Sequence, residues 1–298
     1  MNVYEDKTLR PPLSRSSLSV TGRIFVISGG TQGLGLEIAR HLRLHGASGV
    51  ALVSRSKTKG KLVCEELDGD GFRCIHIPAD LGNEEEAKSV IPRASEVMRD
   101  VGIITGLVNA AATTARGNLM METVEGFKSQ FDVNCCAPFL LTQGFAKEME
   151  KNAKRNGPQQ LQQGSVVNVC SVAARGGAPF VMAYSASKAA LVNMTRNNAA
   201  ELASRSIRVN GINMGQCLTD NEDIIQRRQS GRQDDSWVKR ADSNVPLGRI
   251  LRPADVAPTV VFLLSDASAM MTGSIIDLHP DFAHGMCSLL TEDVRGSD

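Results

Sequence analysis

Residues 23–35 read Arg23-Ile24-Phe25-Val26-Ile27-Ser28-Gly29-Gly30-Thr31-Gln32-Gly33-Leu34-Gly35, an apolar run rich in β-branched residues that ends in a glycine-rich turn. Apolar residues at helical spacing then follow at Leu34, Ile38 and Leu42. The order is strand, turn, helix, with glycines at GxxxGxG spacing. Glycine permits a tight turn and lets backbone N–H groups approach a pyrophosphate at the helix N-terminus. Glycine also serves simply to bend a chain, and it is the flanking strand and helix that point to a nucleotide. The candidate contacts here are Gly29, Thr31, Gln32, Gly33, Leu34 and Gly35.

The same alternation continues outward. Strands are predicted at 23–27, 49–53, 72–77, 104–109, 165–170, 207–212 and 274–278, and helices at 35–44, 57–67, 84–99, 126–149, 184–204 and 254–264. Apolar strands alternating with helices predict an α/β fold, a doubly wound parallel sheet covered on both faces. Pro258 falls inside the last helix, where it should kink or shorten it. Three segments stand outside the pattern: a loose arm over 1–20, a polar loop over 151–164, and residues 216–245. The last is too long for a structureless connection and is expected to form a partly helical substrate lid. Residues 21–298 are expected to be one Rossmann-like domain.

Composition narrows the partners. Among 298 residues, 33 Lys+Arg against 32 Asp+Glu leave a formal charge of +1, so no global field attracts nucleic acid or an acidic membrane. Aromatics make up 4%, with Trp237 alone of its kind, which argues against stacking platforms for single strands. No run approaches about 18 apolar residues, so no membrane span is expected. The seven cysteines are odd in number and lack CxxC spacing, which suits a reducing compartment rather than a disulfide framework. The N-terminus lacks an apolar signal region; Arg10, Arg15 and nearby serines make a transit peptide the weaker reading, and a cytoplasmic location is expected. The five histidines lack metal-ligand spacing, so no metal is expected.

Two further constellations carry chemistry. At the end of the second strand stand Ser54 and Arg55. A carboxylate in the Ser54 slot would accept hydrogen bonds from the adenine ribose, as NAD sites require, whereas an arginine here accommodates the 2′-phosphate of NADP. NADP is therefore expected over NAD. Downstream, Tyr184-Ser185-Ala186-Ser187-Lys188 puts a phenol and an ammonium on one helical face. A cation stabilises phenolate and lowers its pKa from about 10, so Tyr184 becomes a candidate general acid/base on a carbonyl/alcohol pair.

Together, the glycine-rich turn, the YxxxK and a serine thirteen residues before the tyrosine resemble the short-chain dehydrogenase/reductase family over residues 20–278. The resemblance implies hydride transfer between nicotinamide and a carbonyl or secondary-alcohol carbon. It implies that Tyr184 exchanges the proton, that Lys188 holds the nicotinamide ribose, and that Ser171 hydrogen-bonds the substrate oxygen. It also implies that Asn134 holds a water linking Lys188 to solvent. Asp80-Leu81 resembles the pair after the third strand in which the acidic Asp80 meets the adenine, and Leu107-Val108-Asn109-Ala110-Ala111-Ala112 is similar to the NNAG stretch, placing Asn109 and Ala110 at the cofactor. Gly215 and Thr219 stand where PGxxxT meets the carboxamide, although Met214 replaces the proline. Asp277-Leu278-His279 replaces the usual Asp-Gly-Gly, which leaves Asp281, Phe282 and His284 for a neighbouring subunit. The family commonly assembles as tetramers through the helices at 126–149 and 184–204, so a homotetramer is expected.

Gln216 and Trp237, with Arg175, are the lid-side candidates for substrate contact, beside Ser171 and Tyr184. Cys170 reads as a packing cysteine. Two other classes compete with the small-molecule oxidoreductase: a non-catalytic nucleotide-binding regulatory protein on the same scaffold, and a sugar-nucleotide epimerase or dehydratase. The complete Ser171, Tyr184 and Lys188 set argues against the first, and the GxxxGxG spacing with a modest C-terminal region against the second.

Overall fold

In a computed structural model, residues 18–156, 163–230 and 236–280 are described. Seven strands form one sheet: β1 (Ile24–Ser28), β2 (Gly49–Ser54), β3 (Arg73–Pro78), β4 (Ile104–Asn109), β5 (Gly164–Ser171), β6 (Ile207–Met214) and β7 (Ile275–Leu278). Their order is β3-β2-β1-β4-β5-β6-β7, and every adjacent pair is parallel. The central strands are largely apolar because both faces are covered: every residue of β1, β4 and β5 is buried. Period two sends Phe25 and Ile27 into one core and Ile24 and Val26 into the other.

The helices supply the two outer layers. The first core packs α1 (Gly33–Leu44) and α9 (Pro253–Leu264) on the sheet through Ile38, Leu42, Val256 and Val260. The second packs α3 (Glu84–Val97) and α5 (Ala137–Asn156) through Val90, Ile91, Leu141 and Phe145. Helix α2 (Lys57–Leu67) joins β2 to β3, and α6 (Met182–Leu202) joins β5 to β6. The chain is thus a Rossmann-like single domain, with the strand order reversing between β1 and β4. In open α/β sheets that reversal opens a crevice at the strands' C-terminal ends.

Two expectations are revised in detail. The single helix expected at 126–149 is α4 (Val124–Phe131), then a π-helical turn (Asp132–Cys136), then α5. Helix α9 starts at Pro253, where a missing N–H leaves no bond unmade, and it continues through Pro258 to Leu264 on a buried apolar face. Residues 216–245 hold two helices, α7 (Asp220–Ser230) and α8 (Ser236–Ser243). Most of the expected arm, residues 157–162 of the polar loop, and Asp281, Phe282 and His284 lie outside the described residues.

Candidate active site

The C-terminal ends of β1, β2, β4, β5 and β6 bring most of the candidates to one edge of the sheet. At the end of β1, Gly29 has φ +69, and a Cβ there would lie 2.9 Å from Ala111 Cα. A Cβ on Gly35 would come within 2.3 Å of the Gly29 carbonyl oxygen, so the turn and the helix start meet at a distance only glycine allows. Ser28 Oγ accepts from the Ala110 and Ala111 N–H groups, both at 3.1 Å, and ties β1 to the end of β4. Ala110 thus contributes through its backbone, which a methyl side chain leaves free.

The start of α1 suits an anion. Its N-cap residue Gln32 makes no side-chain cap and the first turn has no acid, whereas Ser56, Asn83 and Thr123 cap α2, α3 and α4. The N–H groups of Gly33, Leu34 and Gly35 therefore meet no capping side chain at the positive end of the helix dipole. Gln32 Oε1 instead accepts from Lys59 Nζ at 2.6 Å, and Thr31 is buried behind the turn. At the end of β2, Ser54 Oγ lies 2.9 Å from His76 Nε2, while Arg55 is exposed. Asp80 accepts from the Gly82 N–H, which orients its carboxylate, and Leu81 is buried beneath it. These donors and cations fit a dinucleotide phosphate group.

Ser171 ends β5, and its Oγ accepts from the Ala173 N–H at 3.1 Å, which leaves the hydroxyl proton to donate elsewhere. Tyr184 and Lys188 sit one turn apart on α6, with Lys188 Nζ 5.8 Å from the phenol ring centre. Lys188 is 2% exposed and donates to the Val169 carbonyl at 2.7 Å. Burial lowers its pKa to about 8. Burial also pushes the Tyr184 phenol up to about 12, with the Ser171 hydroxyl pulling the other way. The net shift is upward and set by desolvation, opposite to the depression expected from Lys188.

Asn134 sits in the π-helical turn, fully buried. Its Oδ1 accepts from the Thr113 N–H at 2.9 Å, and its Nδ2 donates to the Thr113 carbonyl and to Ser187 Oγ. Asn109 Nδ2 donates to Asn168 Oδ1 at 2.7 Å, and Asn168 donates to Thr195, so a polar chain runs from β4 through β5 to α6. These amides lock the sheet to the helix that carries Tyr184.

A family model described as enoyl-(acyl carrier protein) reductase matches residues 29–279. The chain belongs to the short-chain dehydrogenase/reductase family. It is 32% identical over 256 residues to the oxidoreductase UcpA of Salmonella typhimurium, covering 86% of this chain and 92% of that one. A putative NAD(P)-dependent gluconate 5-dehydrogenase from Beutenbergia cavernae, solved with NADP, is 28% identical with TM-score 0.75, covering 88% and 96%. A 3-ketoacyl-(acyl-carrier-protein) reductase from Brucella melitensis, solved with NADH, is 26% identical with TM-score 0.73, covering 88% and 98%. The chain is an oxidoreductase of the kind that acts on CH–OH and C=O groups, and these neighbours support a nicotinamide cofactor. Among the described residues no helix is long and apolar enough to cross a membrane, and no three His, Cys, Asp or Glu gather as a metal site.

In this short-chain dehydrogenase the far wall of the cleft comes from β6, β7 and α7. A Cβ on Gly215 would lie 2.7 Å from His279 Cβ, so the residue that replaces the second glycine of the usual Asp-Gly-Gly closes directly over Gly215. Thr219 Oγ1 accepts from the Glu222 N–H, and its side chain lies against Gly33. Gln216 Nε2 donates to Glu222 Oε1 at 3.1 Å, so it reaches the cleft through that carboxylate. Trp237 does not face an open cleft: it is 3% exposed among Val245 and Ile250, and its Nε1 donates to Asp223. It anchors α8 to α7. Glu222 and Arg116, 3.5 Å apart, were not singled out from the sequence. Arg116 also stacks over Phe180, and the pair joins α7 to the segment that precedes Tyr184. Neither residue stands in a motif; the contact is visible only once a loop and the start of α7, separated by about a hundred positions, meet. Arg175 likewise pairs with Asp277 of β7 at 2.5 Å.

Proposed function

We propose that this chain is an NADP-preferring oxidoreductase that interconverts a small carbonyl compound and its secondary alcohol, with Tyr184 as the general acid/base. The observation that supports this best is the meeting of Ser171, Tyr184 and a buried Lys188 at the strand edge that also carries the uncapped α1 N-terminus. A bound nicotinamide supplies or accepts the hydride. In reduction the Tyr184 phenol gives its proton to the developing alkoxide; in oxidation its phenolate takes one from the alcohol. Ser171, with its oxygen fixed by the Ala173 N–H, donates to the same substrate oxygen and stabilises charge that forms there. The remaining N–H donors of Lys188 hold the nicotinamide ribose, and Asn134 fixes the loop beside it.

Arg55, with Lys57 and Lys59 exposed on the following helix, favours a 2′-phosphate over a bare ribose diol. The polar cleft wall of Glu222, Gln216, Gln226 and Arg116 favours a hydroxylated substrate over a long acyl chain. A binding-only scaffold gains nothing from an ammonium buried as Lys188 is, which weighs against the regulatory reading. Homotetramer formation and a cytoplasmic location complete the proposal. The test is a panel of polyols, sugars and 3-oxoacyl compounds followed at the NADPH absorbance band, with NADH in parallel. The expected result is turnover of a hydroxylated substrate with kcat/KM at least tenfold higher for the phosphorylated cofactor. Tight NADPH binding with no turnover across the panel would favour the regulatory reading.

A further inference from the structure

Helix α2 and strand β3 place two thiols together outside the catalytic cleft. Gly60 and Cys64 are one turn apart on the same face of α2, and Cys74 and His76 share a face of β3. Gly60 rests on the His76 ring so closely that a Cβ would lie 2.2 Å from it, and one turn on Cys74 Sγ lies 3.2 Å from Cys64 Sγ. Both cysteines are free thiols. Cys74 is buried and Cys64 half-buried at an open pocket of about 360 Å³. Lys57, Lys61 and Arg73 line that pocket together with the opposing charges of Glu65 and Asp68, a polar opening that admits a small polar reagent. The hydrogen bond from Cys74 holds the Cys64 thiol below its ordinary pKa, against the opposing effect of burial.

We propose that Cys64 and Cys74 form a redox modification site that hydrogen peroxide closes to an intramolecular disulfide, and that closure loosens the cofactor's phosphate grip. The Cys64 thiolate attacks the peroxide, whose O–O bond breaks to give a sulfenic acid and, with one proton, water. The Cys74 sulfur then displaces the sulfenic hydroxyl, which leaves as a second water, so two thiols and one peroxide become one disulfide and two waters. The sulfurs must close from 3.2 Å to about 2.05 Å. Gly60 has no clearance against His76, so that contact acts as a pivot. Drawing Cys64 inward tips the opposite end of α2 outward, and that end carries Ser56, Lys57 and Lys59, the last bonded to Gln32 of the glycine-rich turn. The loosening rests on the NADP reading above; the chemistry of the thiols does not.

The test treats the full chain with hydrogen peroxide, alkylates free thiols and maps the peptides by mass. The expected result is a Cys64–Cys74 link that a dithiol reverses, a sulfenic acid trapped at Cys64 in Cys74→Ser, and no link in Cys64→Ser. Oxidation is expected to raise the NADPH Kd at least threefold in the wild type and not in Cys74→Ser, with faster hydrogen exchange over residues 57–60. Separate alkylation of both thiols after peroxide, or a link from Cys64 to any other cysteine, would overturn the site. A link with unchanged Kd and unchanged exchange would overturn the coupling. If the reduced chain fails to bind NADPH at all, the cofactor reading falls, and mass and exchange alone judge this proposal.

Discussion

Lys188 donates to the Val169 carbonyl at 2.7 Å from a site where it is 2% exposed, so an ammonium group is held inside the sheet–helix layer by one main-chain oxygen. Its folded pKa, about 8, lies below the 10.5 of an unburied lysine. Between those values the unfolded chain binds more protons, so this group's contribution to stability improves as pH rises through that window and is worst below about 8.

Lys188→Met is therefore expected to stabilise the fold near neutral pH by about 1–3 kcal/mol, while activity is lost. Urea midpoints below and above pH 8 check this. The gain should shrink on the alkaline side; a destabilised variant at neutral pH would show that the ammonium is structural.

Asn134→Ala should act in the opposite direction. It strips partners from the Thr113 N–H and carbonyl and from Ser187. A loss of about 2–4 kcal/mol is expected in denaturant unfolding. A change under 1 kcal/mol would mean that water replaces the carboxamide.

The doubly wound order was legible because apolar runs and helical spacing alternate from residue 23 onward, and because the glycine-rich turn marks the first crossover. Ser171, Tyr184 and Lys188 were legible because two lie one helical turn apart and the third closes the strand before them. The π-helical turn around Asn134 was not: it inserts within a continuous helical pattern and only the register of backbone bonds reveals it. Trp237 as a lone aromatic in a polar stretch resembled a ligand contact, yet Val245 and Ile250, too sparse for a periodic signal, close a small core around it. Glu222 and Arg116 were hidden for a further reason. Charged residues on exposed-looking segments acquire meaning only from the partner that tertiary structure brings.

Arg55→Glu tests cofactor choice without disturbing the fold, since Arg55 is exposed. The NADPH Kd should rise about tenfold, near 1.4 kcal/mol, with the NADH Kd within twofold and the unfolding midpoint unchanged. Equal effects on both cofactors in direct titration would remove the 2′-phosphate role.

Proton transfer by Tyr184 is tested by Tyr184→Phe. Steady-state turnover of the best panel substrate, measured beside NADPH binding, should show kcat lowered about 10²–10⁴-fold with the NADPH Kd within twofold. Wild-type oxidation should climb with pH toward the phenol's value of about 12 in the free protein, and the variant should lose that climb. Full activity in Tyr184→Phe, with the pH climb intact, would contradict the account.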